Sequence, residues 1–342
     1  VIKRASLARV RAGIVAVGPE AFRRFTASWH GVDRPLAGED ALLDAVVTLQ
    51  GAAIPASVLE RDVLVARVRG YRSDMLDRLV ASGQVTWRGV APLGAKDGRV
   101  ALYLADDVRT LAPEAGEVES TAAERIEALL RTRGALFFRD IAQELGTYPA
   151  DLLDALWELV WAGRVSNDGL QPLRSRLRDD GPRPRPGRRR RRVRDAQRPG
   201  SEGRWFAVER VPVDATLRAK AHALQLLERH GVLTREALGG ESLAGGFSAI
   251  YPVLRGLEDA GRIQRGYFVE GLGALQYALP AAPPRLRQAR SEGTDPDLLV
   301  LAATDPANLY GAALAWPQTA GGFPRRQAGA RVVTDAGRLL AW

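Results

Sequence analysis

Asp305 and Asn308 are the polar pair in this sequence whose types and spacing suggest chemistry. They lie on a predicted tight turn directly after the apolar run 298–303. A carboxylate in that place can activate water or stabilise an oxocarbenium-like sugar, as the excision of a base from nucleic acid requires. The alternative is structural, because an Asp before a proline commonly caps a turn, here at Pro306. Asp305 is therefore a candidate catalytic residue, and the residues alone leave both interpretations open.

The sequence lacks the residues or motifs that several other kinds of functional site require. The chain has no cysteine, which excludes disulfides, thiolate metal sites and a cysteine nucleophile. His30, His222 and His230 do not have metal-ligand spacing, so we expect no metal site. The motifs of Walker-type ATPases, dinucleotide-binding folds and serine hydrolases are missing. No apolar run approaches the roughly 18 residues of a membrane span, and no signal-peptide pattern opens the chain. We therefore expect a cytoplasmic protein with no membrane partner.

Positive charge is concentrated in one segment. The 342 residues carry a net charge of +9, and residues 174–198 contain twelve arginines against three aspartates, which is also +9. Like charges together with proline and glycine prevent a packed core. We therefore predict a disordered basic loop that is well placed to neutralise phosphates, each adding about 0.9 to the magnitude of the salt slope. Acidic protein partners or RNA would satisfy the same charge. The arginines of this loop that we expect to bind DNA are Arg183, Arg185, Arg188, Arg189, Arg190, Arg191, Arg192 and Arg194.

The elements that must position these residues repeat three times. Each copy has a Leu, a second Leu three residues later, a Gly at +7 and a Val or Ile at +9. The copies begin at Leu76, Leu156 and Leu254, and a further glycine 22 to 25 residues upstream closes an earlier helix in each. An apolar helix face that ends at glycine and continues into strands is the second half of a winged helix. Three copies in register indicate an internal repeat, so we predict an α+β fold of three tandem winged helices.

We divide the chain into five parts and expect it to be a fragment of a larger protein. In the first part, Phe22, Phe25 and Trp29 form a helical stripe that we expect to pack against whatever precedes the fragment. The predicted parts are a packing helix and linker at 1–35, winged helices at 36–108, 118–210 (with an Arg-rich wing insertion at 174–202) and 211–280, and a linker with the start of a small β-rich domain at 281–342.

Further candidate DNA-binding residues flank the third helices and the wings. The start of the third helix faces the groove in helix-turn-helix proteins, which favours Arg72 in the first repeat. The predicted wing tip of that repeat presents Lys96 and Arg99. For any one of these residues, ordinary solvated charge is the alternative. The candidates in the third repeat are Arg255, Arg262, Arg265 and Tyr267.

Two tryptophans lie on the third helix of the second repeat. Trp157 and Trp161 share its apolar face with Leu153 and Val160. Because apolar stripes at helical spacing are usually core, we predict packing for both side chains. Stacking on a base is the alternative.

Several stretches resemble one protein family. These are 29–32 (W-x-G-V), 156–174 (LWELVWAGRVSNDGLQPLR), the Arg-rich insertion before GRWF at 203–206, 266–280 (GYFVEGLGALQYALP) and 301–317 (LAATDPANLYGAALAWP). They resemble the bacterial large helicase-related proteins, Lhr, over nearly the whole chain. The resemblance places this fragment C-terminal to the ATPase core of that family.

The resemblance implies an ATP-dependent 3′-to-5′ DNA translocase and helicase acting in DNA repair. Its ATP and Mg²⁺ would bind outside this chain, for which we expect no cofactor. The implied partners are DNA, single-stranded or as a DNA/RNA hybrid, the helicase core in cis, and further copies in a homo-oligomer. The family's C-terminal extension is similar to winged-helix DNA glycosylases of the alkylpurine type, and uracil-DNA glycosylase activity has been attributed to it in some members. The catalytic glutamine motif of those glycosylases has no match here, because Gln276 lies in another context.

Three functional hypotheses follow from these observations. The leading one is a non-catalytic DNA-binding and assembly module of a helicase. The second is a DNA glycosylase acting on uracil-containing DNA. The third is a scaffold for protein interaction or oligomerisation, a role in which winged helices often serve.

Overall fold

The computed structural model of the chain describes residues 15–178, 198–209, 211–273, 275–291, 298–318 and 324–342. Three units follow one another in it, each with the order helix, short strand, helix, helix, strand, strand. Each unit contains a three-stranded antiparallel sheet in which the last strand of the unit lies in the middle. Unit 1 has in addition a short parallel pair, Leu36–Ala37 with Val68–Arg69. The predicted α+β class is confirmed.

Unit 1 follows the N-terminal helix α1 (Pro19–Trp29). Its two long strands pair from Val85↔Leu104 to Leu93↔Asp97 and form the hairpin that we call the wing of unit 1. The elements are β1 (Leu36–Ala37), α2 (Glu39–Leu49), β2 (Ile54–Pro55), α3 (Ala56–Val58, a π-helical stretch Leu59–Leu64 and Val65–Arg67), β3 (Val68–Arg69), α4 (Ser73–Ala81), β4 (Val85–Leu93) and β5 (Asp97–Leu104), followed by the short helix α5 (Val108–Leu111).

Unit 2 begins at a helix with a side-chain cap. The hydroxyl of Ser120 accepts a hydrogen bond from the backbone N–H of Ala123, which satisfies one of the free donors of the first turn. A proline at the first position starts the third helix of this unit. The elements are α6 (Thr121–Arg133), β6 (Leu136–Phe137), α7 (Phe138–Leu145), α8 (Pro149–Trp161), β7 (Val165–Asn167), α9 (Gln171–Leu177) and β8 (Arg204–Ala207).

Unit 3 also begins at a capped helix, because the Asp214 carboxylate accepts a hydrogen bond of 2.9 Å from the Leu217 N–H. Its second helix is reduced to a 3₁₀ turn, Glu236–Gly240, before the long third helix. The elements are α10 (Ala215–His230), β9 (Val232–Leu233), α11 (Gly246–Asp259), β10 (Gln264–Gly266) and β11 (Gln276–Ala278).

The C-terminal part contains a helix and a separate sheet. Helix α12 (Ala282–Ser291) packs on α1. Three further strands, β12 (Leu298–Ala302), β13 (Arg331–Asp335) and β14 (Arg338–Ala341), form an antiparallel sheet with β13 in the middle. This is the β-rich region that we expected after the third repeat.

The leucine and glycine positions of the repeat have the same surroundings in all three units. Leu76, Leu156 and Leu254, on α4, α8 and α11, are each fully buried. The glycine seven residues later has a positive φ in each copy, between +68° and +74°. Only glycine adopts that backbone at no steric cost, so the helix ends there and the chain turns into the next strand.

The units do not have three equal cores. Units 1 and 2 share one continuous apolar cluster, while unit 3 has its own cluster together with α1 and the segment around Tyr310. Within this second cluster Phe22 and Phe25 of α1 are buried, and the Trp29 indole N–H donates to the Glu228 carbonyl of α10. Our expectation for α1 was therefore wrong. The apolar stripe of α1 predicts that one helix face is buried, but it cannot indicate which element covers that face. In the structure, unit 3 of this chain covers it.

The connection between the last two strands of unit 2 begins with an ordered helix. β7 pairs with β8, from Val165↔Ala207 to Asn167↔Trp205, so the basic segment is inserted in a wing, as the sequence indicated. However, α9 reaches Leu177, whereas we placed the start of the disordered insertion at 174. The first arginines of the segment are held by contacts with unit 1, which are described below.

Candidate nucleic-acid interface

The third helix of unit 1 starts next to an exposed ion pair. Arg72 precedes α4 and donates two hydrogen bonds, of 2.9 and 2.8 Å, to the carboxylate of Asp74. Arg78, one turn later, also binds Asp74. Arg72 is accessible to a ligand, but its charge is shared with a carboxylate. Binding to a phosphate would require the guanidinium to exchange that partner.

The wing of unit 1 packs against the third helix of unit 2. A Cβ built on Gly89 would lie 2.0 Å from the carbonyl oxygen of Val160, and one on Gly98 would lie 2.4 Å from the ring of Trp161. The two glycines therefore let the β4–β5 hairpin approach the backbone and the indole of α8 directly. The same contact confirms that Trp161 is a packing residue.

Two more hydrogen bonds fix the wing of unit 1 to unit 2. The Ser166 hydroxyl donates to the Trp87 carbonyl at 2.8 Å, and the Trp87 indole N–H donates to the Gly169 carbonyl at 3.1 Å. Lys96 is exposed at the wing tip, whereas Arg99 turns back to donate to the Ala53 carbonyl at 3.2 Å. Arg99 is thus held within unit 1 rather than extended from the wing tip as we predicted.

Helix α9 holds the first arginines of the basic segment against unit 1. Arg174 binds Glu60 at 2.7 Å and Asp77 at 2.8 Å. Burial by itself would lower the pKa of this guanidinium, but the hydrogen bonds that it donates to the two carboxylates outweigh burial and raise the pKa. Arg176 donates to the Ala95 carbonyl at the wing tip and lies over the ring of Trp157. The charge of Arg174 is thus used within the protein, whereas Arg176 is partly buried and has no carboxylate partner among the described residues.

The remaining arginines of the basic segment fall outside the described residues. The two ends of this segment, Arg178 and Arg198, are described. The predicted DNA contacts that lie between them are Arg183, Arg185, Arg188, Arg189, Arg190, Arg191, Arg192 and Arg194.

Two of the candidate residues of unit 3 lie near one buried hydroxyl. Arg265 on β10 pairs with Tyr277 on β11 and lies 3.4 Å from the Glu258 carboxylate. The charges of Arg255 and Arg265 both act on Tyr277, whose hydroxyl is buried and without a hydrogen-bond partner in the described part of the chain. Burial raises the pKa of Tyr277 above its usual range. Arg255 lies on the exposed side of α11, so the unit presents cations on that face.

The two other candidates of unit 3 lie at the ends of the following strand. Arg262 is exposed between α11 and β10. Tyr267 is 43% exposed, and its hydroxyl accepts a hydrogen bond of 3.0 Å from the Gly271 N–H. The phenol ring therefore projects from the wing of unit 3 while its oxygen fixes the turn of that wing.

An open cavity at the start of α11 contains residues that the sequence analysis missed. It has a volume of about 650 Å³ and is lined by Arg235, Phe247 and Tyr251, among others. The two rings pack at 6.1 Å between centroids, and the preceding Gly245 and Gly246 have positive φ. Aromatic residues beside cations are typical platforms for nucleic-acid bases. The signal that could have indicated them is the aromatic pair at i, i+4 directly after a glycine-rich loop.

Asp305 is fully buried in an ion pair. Its two carboxylate oxygens accept hydrogen bonds of 2.8 and 2.7 Å from the Arg67 guanidinium at the end of α3. One of them also accepts from the Ala307 N–H at 2.7 Å, which is the turn-capping contact of the structural interpretation. The geometry therefore favours that interpretation. A catalytic role of Asp305 stays a prediction that none of its contacts supports.

The same ion pair includes a buried histidine. Nη2 of Arg67, which donates to Asp305, also lies 3.1 Å from Nδ1 of His30, which therefore accepts. Burial, followed by the charge of Arg67, lowers the pKa of His30 well below its usual value. His30, Arg67 and Asp305 connect the end of α1, unit 1 and the C-terminal sheet. Their arrangement is that of an internal junction.

Within the described residues there is no group of three His, Asp or Glu side chains placed to hold a metal ion. None of the helices described here is both long and apolar enough to cross a membrane.

Comparison with known proteins identifies the family. Family models for winged-helix domains of the large helicase-related protein match residues 17–105 and 212–298, the ranges of units 1 and 3. A curated protein of Mycolicibacterium smegmatis, named "Lhr helicase/ probable uracil glycosylase", is 43% identical over 99% of this chain. The Escherichia coli protein named "Lhr helicase/uracil glycosylase" is 36% identical over 89% of the chain. The chain belongs to the Lhr family.

The match covers only part of these Lhr relatives. The chain spans 24% of the length of the M. smegmatis protein and 22% of the E. coli protein, in their C-terminal region. Among solved structures, the DNA glycosylase AlkZ of Streptomyces sahachiroi superposes with a TM-score of 0.57 over 95% of this chain and 87% of its own, at 12% identity. At that identity the likeness shows a shared fold. The winged-helix assignment of unit 2 rests on its strand order and stays a prediction.

Proposed function

We propose that this Lhr chain is the nucleic-acid-binding and assembly module of an ATP-dependent 3′-to-5′ DNA helicase or translocase that acts in DNA repair. The motor domains, with their ATP and Mg²⁺, lie outside the chain. Its partners are single-stranded DNA or a DNA/RNA hybrid, the helicase core in cis and further copies of itself, in the cytoplasm. The observation that supports this proposal is the open face of unit 3, where Arg255, Arg262 and the rings at the start of α11 are accessible.

The other two units contribute through different surfaces. The wing of unit 1 packs on unit 2, so the accessible cations of unit 1 are Lys96 at the wing tip and Arg72 before α4. Unit 2 carries the basic segment in its wing, and the net charge of that segment, +9, equals the net charge of the whole sequence. Cations on a wing and along a third helix are the usual means by which winged helices bind the phosphate backbone.

A salt titration tests the proposal. Single-stranded DNA, double-stranded DNA and a DNA/RNA hybrid are titrated with the chain at two salt concentrations, and with a variant that lacks residues 183–194. We expect the deletion to lower the affinity for single strands and to flatten the salt dependence. Unchanged binding across the salt series would contradict the proposal. A gel-filtration mass well above the monomer without any DNA binding would instead favour a protein scaffold.

A second candidate function is a DNA glycosylase that acts on uracil. The shared fold with AlkZ and the names of the two Lhr relatives, which include uracil glycosylase, favour it. The chain is incubated with uracil-containing DNA, which is then treated with alkali to cleave abasic sites. Absence of strand breaks would dismiss this function for the chain.

The Asp305→Asn variant then tests whether Asp305 is catalytic. Because the carboxylate pairs with Arg67, we expect the substitution to lower thermal stability, and Arg67→Ala serves as the control for that effect. Loss of strand breaks with an unchanged melting temperature would support catalysis by Asp305. If Asp305→Asn and Arg67→Ala both lower the melting temperature and both abolish the strand breaks, the role of Asp305 is structural.

A further inference from the structure

A cavity lies between unit 1, the segment after its wing, and unit 3. Its volume is about 270 Å³. The walls are mainly apolar. Unit 1 contributes β4, β5 and the turn after α2, the next segment contributes α5 and the residues after it, and unit 3 contributes α10, α11 and the loop before α11. Concave, mostly apolar cavities with a few polar groups are the usual form of small-molecule and base-binding sites. The apolar side chains of this cavity include Val90, Leu111, Leu226 and Ile250.

Most polar side chains of this cavity already have partners. Gln50 accepts from the Leu104 N–H at 2.8 Å and donates to Asp107 at 3.0 Å. Gln225 donates to the Val47 carbonyl at 2.9 Å. Arg229 is held by Glu241 and by the Gln50 carbonyl. These groups form a fixed wall rather than a set of free ligand contacts.

Tyr103 differs from these side chains. Its side chain is fully buried, and its hydroxyl has no hydrogen-bond partner within the described residues. A buried hydroxyl without a partner costs about 1–3 kcal/mol, so such a group points to a ligand that would complete it. His222 lines the same cavity, and burial followed by the charges of Arg218 and Arg229 lowers its pKa, so the imidazole is neutral at physiological pH. The cavity thus offers neutral polar groups between apolar walls.

A second, larger cavity adjoins the first and is cationic. Its volume is about 500 Å³, and its lining includes Arg88, Arg109 and Arg218. Arg88 donates to the Thr86 hydroxyl and the Trp87 carbonyl, has no carboxylate partner in the described part of the chain, and leaves its Nε buried without an acceptor. Burial lowers the pKa of Arg88 to about 10. A desolvated cation of this kind is stabilised when an anion binds beside it.

The other two cations of this cavity are also without carboxylate partners among the described residues. Arg109 is exposed, and Arg218 donates to the Ala112 carbonyl at 3.1 Å. The carboxylates that line the cavity are Glu114 and Glu209, and both are exposed. The guanidinium groups therefore remain open to an anion from outside the protein.

The two cavities share Val90, Pro113, Glu114 and Arg218 in their linings, so they are neighbouring parts of one cleft. We propose that this cleft binds a single nucleotide of a nucleic-acid strand, with its base beside Tyr103 and His222 and its phosphate beside Arg88, Arg109 and Arg218. A neutral heterocycle joined to an anionic phosphate is the chemistry that matches a neutral, apolar-walled cavity next to a cationic one. The exposed carboxylate of Glu114, at the boundary, is placed to accept from a base N–H. This inference deepens the proposed function and rests on it.

The test uses a short single-stranded oligonucleotide with one central 2-aminopurine, a base whose fluorescence reports its surroundings, and a dye at one end whose anisotropy reports binding. The variants are Tyr103→Phe, which removes only the unpaired hydroxyl, and Arg109→Ala, which removes an exposed cation. Arg139→Ala on α7 is the matched control, since Arg139 is also exposed and lies outside the cleft. Melting temperatures establish that each variant is folded.

We expect the wild-type chain to change the 2-aminopurine fluorescence on binding. Tyr103→Phe should alter this fluorescence change with little effect on anisotropy. Arg109→Ala should weaken binding about two- to fivefold, as expected for one accessible charge, and Arg139→Ala should change neither. If anisotropy shows binding but the change in 2-aminopurine fluorescence is the same in all four proteins, the proposal that the cleft binds a nucleotide is wrong. The proposed function would then remain intact. No binding by the wild-type chain at low salt would overturn both.

Discussion

Helices α8 and α11 hold the same place in units 2 and 3, yet they present very different surfaces. Both carry the leucine pair of the repeat on the inner face. α8 buries seven of its 13 residues, including Trp157 and Trp161, whereas α11 buries four of its 14. The difference lies on the outer face, which the wing of unit 1 covers in α8 and which remains open in α11. A repeat signature thus predicts which face of a helix packs inside its own unit. Whether the opposite face is buried or exposed depends on the neighbouring unit.

The largest expected effect comes from removing the indole that joins unit 2 to the wing of unit 1. Trp161→Ala should lower the free energy of unfolding by about 3–5 kcal/mol, because it leaves a cavity in the core shared by units 1 and 2. Tyr251→Ala, on the half-buried side of α11, should cost less than about 1 kcal/mol. Denaturant unfolding followed by circular dichroism measures both. Equal losses would show that α11 is as deeply packed as α8.

A smaller effect is expected from filling the close approach between the wing and α8. Gly89→Ala places a Cβ against the Val160 backbone and should destabilise the protein by about 1–3 kcal/mol. Gly256→Ala is the matched control on α11, where an added Cβ meets nothing within 4 Å. There, alanine should stabilise the helix by about 0.5–1 kcal/mol. A stable Gly89→Ala variant would mean that the two units can separate at this surface.

The sequence was sufficient for the fold but not for these contacts. The leucine, glycine and β-branched spacing predicts three helix ends and three strands, because each position responds to local backbone geometry. Gly89 and Gly98 give no such local signal, since their role depends on the side chains of another unit. The apolar residues around α8 were the available hint, because a helix that is apolar on several faces is buried on several faces.

The candidate site was predicted least well where it depends on distant residues. Asp305 and Arg67 are 238 positions apart, and the pattern around Asp305 is equally compatible with a capped turn and a catalytic acid. Tyr103 lies in an ordinary strand pattern, and only its missing hydrogen-bond partner draws attention to it. By contrast, the exposed positions of Arg255 and Arg262 could be predicted, because they lie on and directly after the third helix of a recognisable repeat. Their DNA contacts stay a prediction.

The buried histidine at the internal junction, His30, predicts that the stability of the protein depends on pH. His30 stays neutral in the folded protein, because burial and Arg67 lower its pKa, while in the unfolded chain it takes up a proton as the pH falls through about 6.5. Its contribution to stability is therefore complete above that pH and is lost below it, by up to about 1.4 kcal/mol per pH unit. His30→Gln keeps an acceptor for Arg67 and should flatten the stability profile between about pH 6.5 and 5. His222→Gln, whose wild-type pKa is lowered less, should flatten it less; identical profiles for wild type and His30→Gln would refute the assignment.

The smallest expected effects are changes in DNA affinity caused by substitutions on and after the exposed face of α11. They decide whether that face is a binding surface. Arg255→Ala and Arg262→Ala should each weaken single-stranded DNA binding about two- to fivefold and lower the magnitude of the salt slope by about 0.7. The two losses should add, because each side chain would contact its own phosphate. Arg139→Ala, on the exposed side of α7 in unit 2, is the control for charge alone. If Arg139→Ala weakens binding as much as Arg255→Ala, then DNA responds to diffuse charge and the open face of α11 has no special role. If only the unit 3 variants weaken binding, the third helix that its neighbours leave uncovered is the one that contacts DNA.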